Sequence, residues 1–387
     1  MLVLAKAEKL KFESMLKKYI EISKKVEKSK KLEEKVFSLL NAFERKDKKT
    51  TSSFRKVTKT CVKGQEKILS ELGIKYDYFD YESKFINEGK NILGQLEETG
   101  KLSKDEEGRM VLNQSGTSVE NQMKSPFLVL TRSDGTGLYP LRDLSYTIEK
   151  NNRAEKNIIV LGEDQKLYFQ QISEALKLLG LKSPQVIHYS FILLSHKGKS
   201  KKMSTRKGEV VLLEDFLNDA TEKAKKELQK RKTKGDAKKI AISAVKYSIL
   251  KVTPNRAINF NLEEALNFEG DTGPYLLYSY ARANSILQKS KKAEDKIKIV
   301  ELEQRETELI LKLSNFKKVV QESFNSLNPS LIANYSYELA KIFNEFYHEC
   351  PVIGDEKEKF RLNLVKSFKQ VLKNSLFLLG IETFEKM

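Results

Sequence analysis

Residues 156–194 read KNIIVLGEDQKLYFQQISEALKLLGLKSPQVIHYSFILL, and the pattern within them decides the fold. Ile158, Ile159, Val160 and Leu161 form a short continuous apolar run closed by Gly162, which predicts a buried-type strand. Apolar residues then recur at helical spacing, predicting a helix from about Asp164 to Leu179, and QVIHYSFILL predicts a further strand. Strand, helix and strand at this spacing make a βαβ unit. Such a unit implies parallel strands and puts ligand-binding loops at their carboxyl ends.

Upstream, PFLVL (126–130) predicts a strand, RSDGTG (132–137) a turn and LRDLSYTIEK (141–150) the start of a helix. Downstream of Glu214 the spacing predicts helices to the end of the chain. Leu331, Tyr335, Leu339, Ile342, Phe343 and Phe346 share one helical stripe; Leu362, Val365, Phe368, Leu372, Leu376 and Leu379 share another. GDTGP (270–274) is the clearest break and the expected domain boundary. The fold class is therefore α/β and all-α multidomain, a helical bundle following a Rossmann-like part.

The chain has 387 residues and a net charge of +18, from 71 Lys and Arg against 53 Asp and Glu, which points to a polyanionic partner. Apolar residues at 40%, with only 7 Pro, exclude a disordered or fibrous chain. The two cysteines, Cys61 and Cys350, allow neither a disulfide framework nor a CxxC metal pair, so no metal site is expected and a reducing, cytoplasmic location is. No apolar run approaches the ~18 residues that span a membrane, so no membrane partner is expected either. Residues 1–63 carry 19 Lys and Arg against 8 acids at helical spacing, for example Leu32, Val36, Leu39, Leu40 and Phe43. A solvated helical face and a nucleic-acid contact both fit that stretch. Lysine outnumbers arginine 59 to 12, which favours attraction to a phosphate backbone over base reading. A lysine-rich helix is expected over Thr221–Lys239.

The stretch SHKGKSKKMSTRKG (195–208) places six cations between Lys197 and Lys207, with small and hydroxyl residues among them and no acid. Such a loop suits a polyphosphate, although composition alone favours a solvated basic loop. The order of residues in KKMSTRKG resembles the KMSK loop of class I aminoacyl-tRNA synthetases. Its neighbours strengthen the resemblance. SDGTGLYPLRDLSYTIEK, LGEDQKLYFQQISEALKLLG, VVLLEDFLNDA, LNFEGDTGPYLLYSYARANSIL, FNEFYHECPVIG and LLGIETFEKM together are similar to arginyl-tRNA synthetases, from about residue 30 to Met387.

That resemblance implies an arginine-tRNA ligase that forms arginyl-adenylate from ATP, with Mg2+ carried on the ATP, and then transfers arginine to its tRNA. It places Lys202, Met203, Ser204, Thr205, Arg206 and Lys207 at the ATP, with Lys202, Ser204 and Arg206 as the catalytic set. In YPLRD it assigns Tyr139 and Asp143 to the arginine substrate, together with Gln165; a carboxylate is the planar acceptor a guanidinium needs. In the helical end it assigns Tyr275, Tyr278, Tyr347 and Met387 to unpaired anticodon bases, which stack on aromatic faces. The expected partners are arginine and a tRNA bearing an arginine anticodon.

Expected domains are a mostly helical insertion at 1–125, the second half of a Rossmann-like catalytic domain at 126–215, a helical connector meeting the tRNA stem at 216–268, and a helical anticodon-binding domain at 269–387. The H-x-G-H signature of the class is not found: the three histidines, His188, His196 and His348, stand outside any such motif. Tyr168 stands where the family often has His, and Pro140–Leu141 where it usually has Leu-Thr. The expectation is a split or truncated synthetase whose H-x-G-H half belongs to a separate chain or an upstream extension. The alternative is a non-catalytic tRNA-binding protein.

Overall fold

Three helices open the chain: α1 (Phe12–Val26), α2 (Lys30–Glu44) and α3 (Lys48–Glu71). Two of them have side-chain caps. Ser29 Oγ accepts from the Leu32 N–H at 3.4 Å and Asp47 Oδ2 from the Thr50 N–H at 2.8 Å, satisfying amides that a helix start leaves without partners. The Leu32–Phe43 stripe is only half buried, and no residue of α2 is fully buried. The computed structural model describes residues 1–196, 199–201, 211–290 and 301–385. These residues divide after Tyr189 into two compact units.

In the first unit, α4 (Ile86–Glu98) leads into β1 (Leu102–Lys104), β2 (Met110–Asn113) and β3 (Phe127–Val129). The three strands make an antiparallel sheet with Leu112 opposite both Leu102 and Leu128. The first 125 residues are thus mostly helical, with β1 and β2 among the helices. α5 (Tyr139–Arg153), β4 (Ile158–Gly162), α6 (Lys166–Leu178) and β5 (Gln185–Tyr189) follow. Ile92, Leu96, Leu112, Leu128, Leu141, Leu144, Ile172 and Leu176 form one buried cluster among α4, the sheet, α5 and α6. Each such side chain contributes about 1.5–3 kcal/mol on burial.

β4 and β5 pair in parallel, Ile158 opposite Gln185 through Gly162 opposite Tyr189, as the βαβ pattern requires. Two details differ from the sequence pattern. Ile158 and Val160 are exposed, since a two-stranded sheet leaves one side of β4 uncovered within this unit. The strand expected over 185–194 is two: β5 ends at Tyr189 and β6 (Ile192–His196) begins after a break. There the Ser190 N–H donates to the Pro254 carbonyl at 2.8 Å and the Phe191 carbonyl accepts from the Ile258 N–H at 2.9 Å, so the backbone has left the β4 ladder.

The second unit continues with β7 (Lys199–Lys201), α7 (Leu213–Lys230), α8 (Ala237–Leu250), β8 (Ile258–Phe260) and α9 (Leu262–Ala265). β6 is central, antiparallel to β7 and parallel to β8. β8 interrupts the all-helical run expected after Glu214; its Ile258 and Phe260 pair with Ile192 and Leu194. The lysine-rich helix expected over 221–239 is broken. Lys232 takes a positive φ of 52°, and Asp236 starts α8 by accepting from the Lys238 and Lys239 amides.

α10 (Gly273–Lys289), α11 (Gln304–Ser314), α12 (Phe316–Ser326), α13 (Ser330–Glu349) and α14 (Glu358–Leu378) complete a helical bundle. Tyr335, Leu339, Phe343 and Phe346 on α13 are buried, as are Leu362, Val365, Phe368, Leu372 and Leu376 on α14. The rings of Phe343 and Phe368 stack 3.7 Å apart. Arg361, 2% exposed, donates to Glu306 Oε1 at 2.7 Å and to the Pro351 carbonyl at 2.7 Å, tying α11 to α14.

GDTGP lies inside this unit, between α9 and α10. The Thr272 hydroxyl accepts from the Tyr275 N–H at 3.3 Å, and Pro274 stands in the first turn, where no intrahelical donor is needed. A Cβ on Gly273 would meet the Ser243 carbonyl oxygen at 2.3 Å, so α10 touches α8 backbone to backbone. Gly273→Ala is expected to lower stability by about 2 kcal/mol or more, since backbone cannot yield as a side chain does. Gly94→Ala in α4, where a Cβ meets nothing within 4 Å, is expected to be neutral or stabilising by up to about 1 kcal/mol. Thermal unfolding of the two variants checks the contrast; equal effects would count against the close contact.

Candidate functional site

The first cluster is built on α5. Tyr139 is its first residue and Asp143 follows one turn later, so the four-residue spacing puts both side chains on one face. Tyr139 is 68% exposed. From α6, the Tyr168 hydroxyl donates to Asp143 Oδ2 at 2.5 Å. The crowded carboxyl end of Asp143 is desolvated although the residue as a whole is exposed. Desolvation is the largest effect and raises its pKa above the ordinary value, Glu82 adding to it while the Tyr168 hydrogen bond and the charge of Lys150 oppose it. Burial, followed by the hydrogen bond to Asp143, also raises the Tyr168 phenol.

No Lys or Arg among the described residues lies within ion-pair distance of Asp143. Its sequence neighbour Arg142 turns elsewhere, to Glu44 at 2.5 Å and Glu82 at 2.7 Å, and anchors α5. At the far end of α5, Arg153 holds Asp80 at 2.6 Å and Glu149 at 2.8 Å. Among the described residues, the Asp143 carboxylate has one neutral partner, the Tyr168 hydroxyl. Gln165 is exposed on the turn between the carboxyl end of β4 and α6, three residues before Tyr168. Its side chain makes no hydrogen bond among the described residues, to Asp143 or to any other group.

Lys202, Met203, Ser204, Thr205, Arg206 and Lys207 lie outside the described residues, and so does Met387. The flanking hairpin is described: β6 and β7 pair antiparallel, with Leu194 opposite Lys201.

A second cluster joins α10 to α13. Arg282 lies 4.7 Å from the ring centre of Tyr278 and 5.5 Å from that of Tyr347, cation over π-face in both cases. It also donates to Asn344 Oδ1 at 2.5 Å. The Asn344 amide in turn donates to Tyr275 Oη and Ser279 Oγ, each at 2.9 Å. The structure therefore brings Tyr275, Tyr278 and Tyr347 together around Arg282. Tyr275 is half buried and packs on Tyr337 at 5.8 Å, whereas Tyr347 is 42% exposed. A base could reach the Tyr347 ring without disturbing the core.

Sequence reasoning missed three contributors: Tyr168 as the partner of Asp143, Arg142 as the anchor of α5, and Asn344 as the bridge between the tyrosines. Only two had a signal in the sequence. Tyr168 is one turn beyond Gln165, and Asn344 one turn before Tyr347. For a metal, Glu303, Glu306 and Cys350 offer ligand atoms within 4.8 Å of one another. Their carboxylates are already neutralised by Arg361, at 2.7 Å from Glu306, and by Lys357, at 3.0 Å from Glu303.

The family model described as tRNA synthetases class I (R), catalytic domain, matches residues 5–262, and the DALR anticodon binding domain matches residues 276–387. The first match begins well before residue 30, where the motifs become legible. The arginine–tRNA ligase of Methanocaldococcus jannaschii is 37% identical over 97% of this chain and 67% of its own length; that of Archaeoglobus fulgidus is 36% identical over 95% and 67%. The ligase of Methanocella arvoryzae is 37% identical over 92% of this chain and 63% of its own length, so the chain spans about two thirds of these relatives. Among solved structures, the Thermus thermophilus arginyl-tRNA synthetase superposes with a TM-score of 0.80 at 25% identity, covering 94% of this chain and 68% of that one. The chain belongs to the arginyl-tRNA synthetases, class I aminoacyl-tRNA ligases in which an α/β catalytic domain precedes a helical anticodon-binding domain.

Proposed function

We propose that this chain acts in the ATP-dependent attachment of arginine to tRNA, through an arginyl-adenylate. The observation that carries this reading is the Asp143 carboxylate, which pairs with no arginine among the described residues and is held by Tyr168. A substrate guanidinium would donate to Asp143, with the exposed Tyr139 beside it and Gln165 at the end of β4; lysine, lacking the planar fork, would pair less well. Lys202, Ser204 and Arg206 would stabilise the pyrophosphate as it leaves, and Met203, Thr205 and Lys207 would complete the ATP-side loop. Residues 197–207 hold cations and hydroxyls but no carboxylate, a donor set suited to phosphate and not to a metal. Mg2+ would therefore be carried by the ATP phosphates. The tRNA would be read by Tyr347, Tyr278 and Tyr275, with Met387 near them, and its stem met by the connector within 216–268.

Residues 1–387 contain no H-x-G-H, and we propose that activation depends on such a segment being supplied with this chain. A non-catalytic tRNA-binding role is the second reading; the Asp143–Tyr168 pair disfavours it, since a binding module has no use for a guanidinium acceptor. No helix among the described residues is long and apolar enough to cross a membrane, in keeping with action in the cytoplasm.

The 387-residue chain assayed alone is expected to bind a tRNA with an arginine anticodon yet show no arginine-dependent pyrophosphate exchange; robust exchange would overturn the dependence on a supplied H-x-G-H. Tyr347→Ala is expected to weaken that tRNA by about 5- to 100-fold, the range for losing one stacked base, and equal binding of all tRNAs whatever their anticodon would count against the Tyr347 cluster. With an H-x-G-H segment supplied, Asp143→Asn is expected to abolish arginine use, while Tyr168→Phe raises the KM for arginine about tenfold or more by removing a hydrogen bond to a charged group. Arginine affinity should also fall on acidification. The pKa of Asp143 is raised, so the charged form that holds a guanidinium is lost at a higher pH than for an ordinary aspartate. Affinity unchanged down to about pH 4 would exclude Asp143 as the acceptor.

A further inference from the structure

Beyond Asp143 on the same face of α5 stands a second uncompensated charge, which the arginine site described above does not use. Lys150 lies seven residues on, roughly 10 Å along the axis at 1.5 Å per residue. Side chains on a helix lean toward its amino end, and the half-buried Lys150 does so: its ammonium sits 4.4 Å from the ring centre of Tyr146, one turn nearer to Asp143. That ammonium has no ion pair or hydrogen bond among the described residues. The nearby acids are engaged, Glu149 with Lys84 and Arg153, Asp80 with Arg153 and the Tyr146 hydroxyl. We propose that Lys150 is a positioning residue for arginine capture, a fixed cation that keeps the Asp143 carboxylate ionised and ready for a guanidinium. The role in capture rests on the arginine reading above; the coupling of the two charges does not.

A half-buried ammonium without a partner is unfavourable, and so is a desolvated carboxylate bonded only to a phenol. Set two turns apart on one helix face, each offsets the other. The spacing matters as much as the sign. A cation in contact, as Arg153 is with Asp80, would occupy the acceptor, whereas one two turns away stabilises it and leaves it open. Tyr146 keeps Lys150 at that distance. Its hydroxyl donates to Asp80 at 3.1 Å and its ring packs on Phe85 at 5.0 Å, so the π-face under the ammonium is held in place.

The other groups that face Asp143 are few. Tyr168 comes from α6 and Tyr139 from α5 itself; Glu82, from the short helix Glu82–Phe85, acts against ionisation and is shared with Arg142. Among the described residues, α4 adds no charge that acts on Asp143, and Lys150 is the one cation that does. Burial lowers the pKa of Lys150 and the charge of Asp143 raises it, the reciprocal of the same coupling. Removing Lys150 therefore has two opposite consequences. Asp143 loses a cation that favours its charged form, so it takes up its proton at a higher pH. An arriving guanidinium loses a cation that repels it, so at neutral pH arginine binds as well or better. A merely damaged pocket would bind more weakly at every pH.

The test uses the whole 387-residue chain. Carbon NMR of the aspartate carboxyl groups, with Asp143→Asn to identify the signal, follows Asp143 without any arginine present. In Lys150→Met, which keeps an aliphatic stem over Tyr146, the midpoint is expected to move to higher pH. Lys150→Arg and a net-charge control on the exposed side of α3, Lys67→Gln, are expected to keep the parent's midpoint. An unmoved midpoint in Lys150→Met, or an equal move in Lys67→Gln, would overturn the proposal. On the unaltered chain, the Lys150 Cε signal should itself shift through the Asp143 midpoint; no such shift would overturn it whatever the variants do. Calorimetry with arginine, from about pH 4 to about pH 8, should then show Lys150→Met losing affinity on acidification at a higher pH than the parent. At the alkaline end it should bind arginine about 2- to 15-fold more tightly, the Coulomb range for a charge roughly 10 Å away in surroundings between water and a protein surface. Affinity lowered by one factor at every pH would reduce Lys150 to packing and overturn the proposal. A midpoint that moves as expected in a chain that binds no arginine at any pH would instead sink the arginine assignment and leave the hold of Lys150 on Asp143 standing.

Discussion

A guanidinium paired with a carboxylate is the interaction on which this structure most depends. Arg142 with Glu44 and Glu82 fixes the start of α5, Arg153 with Asp80 fixes its end, and Arg361 with Glu306 joins α11 to α14 inside the bundle. Arg305 adds a surface set with Glu308, Glu345 and Glu349. The planar fork makes these pairs directional, which a lysine could not match. The buried one matters most for integrity, since removing one partner of such a pair costs about 3–5 kcal/mol. Asp143 stands apart from this scheme: on the same helix as two of these arginines, its carboxylate is bonded, among the described residues, only to a phenol.

The few arginines and the many lysines are thus used differently. Several arginines are consumed in holding elements together, while the lysines of α3 stand in solvent with no ion-pair partner among the described residues. Much of the positive charge seen in the sequence is consequently available to an incoming anion. Fields of this kind raise association rates and fall off steeply with salt.

The sequence made the core of the fold legible because burial imposes periodicity. The β4–α6–β5 unit and the apolar stripes of α13 and α14 follow directly from spacing. What spacing could not reveal was where backbone hydrogen bonds change partner. QVIHYSFILL reads as one strand, yet its amides pair in two different sheets, and only the distant Pro254 and Ile258 explain the break at Ser190. Likewise the lysines from 221 to 239 hid the turn at Lys232. The site shows the same limit. Tyr139 and Asp143 were legible because they lie four residues apart in one motif, whereas the Tyr168 contact joins residues 25 apart and the Arg142–Glu44 contact residues 98 apart. Long-range polar pairs leave no local pattern.

The meeting of Gly273 with the Ser243 carbonyl also has a mechanical side. Side chains absorb small displacements by changing rotamer, and a contact made of two backbones has no rotamers to change. α10 carries Tyr275, Tyr278 and Arg282 along the same rod whose first residue presses on α8. A push on those rings would therefore be passed to α8 with little damping, as through a pin joint and not a spring.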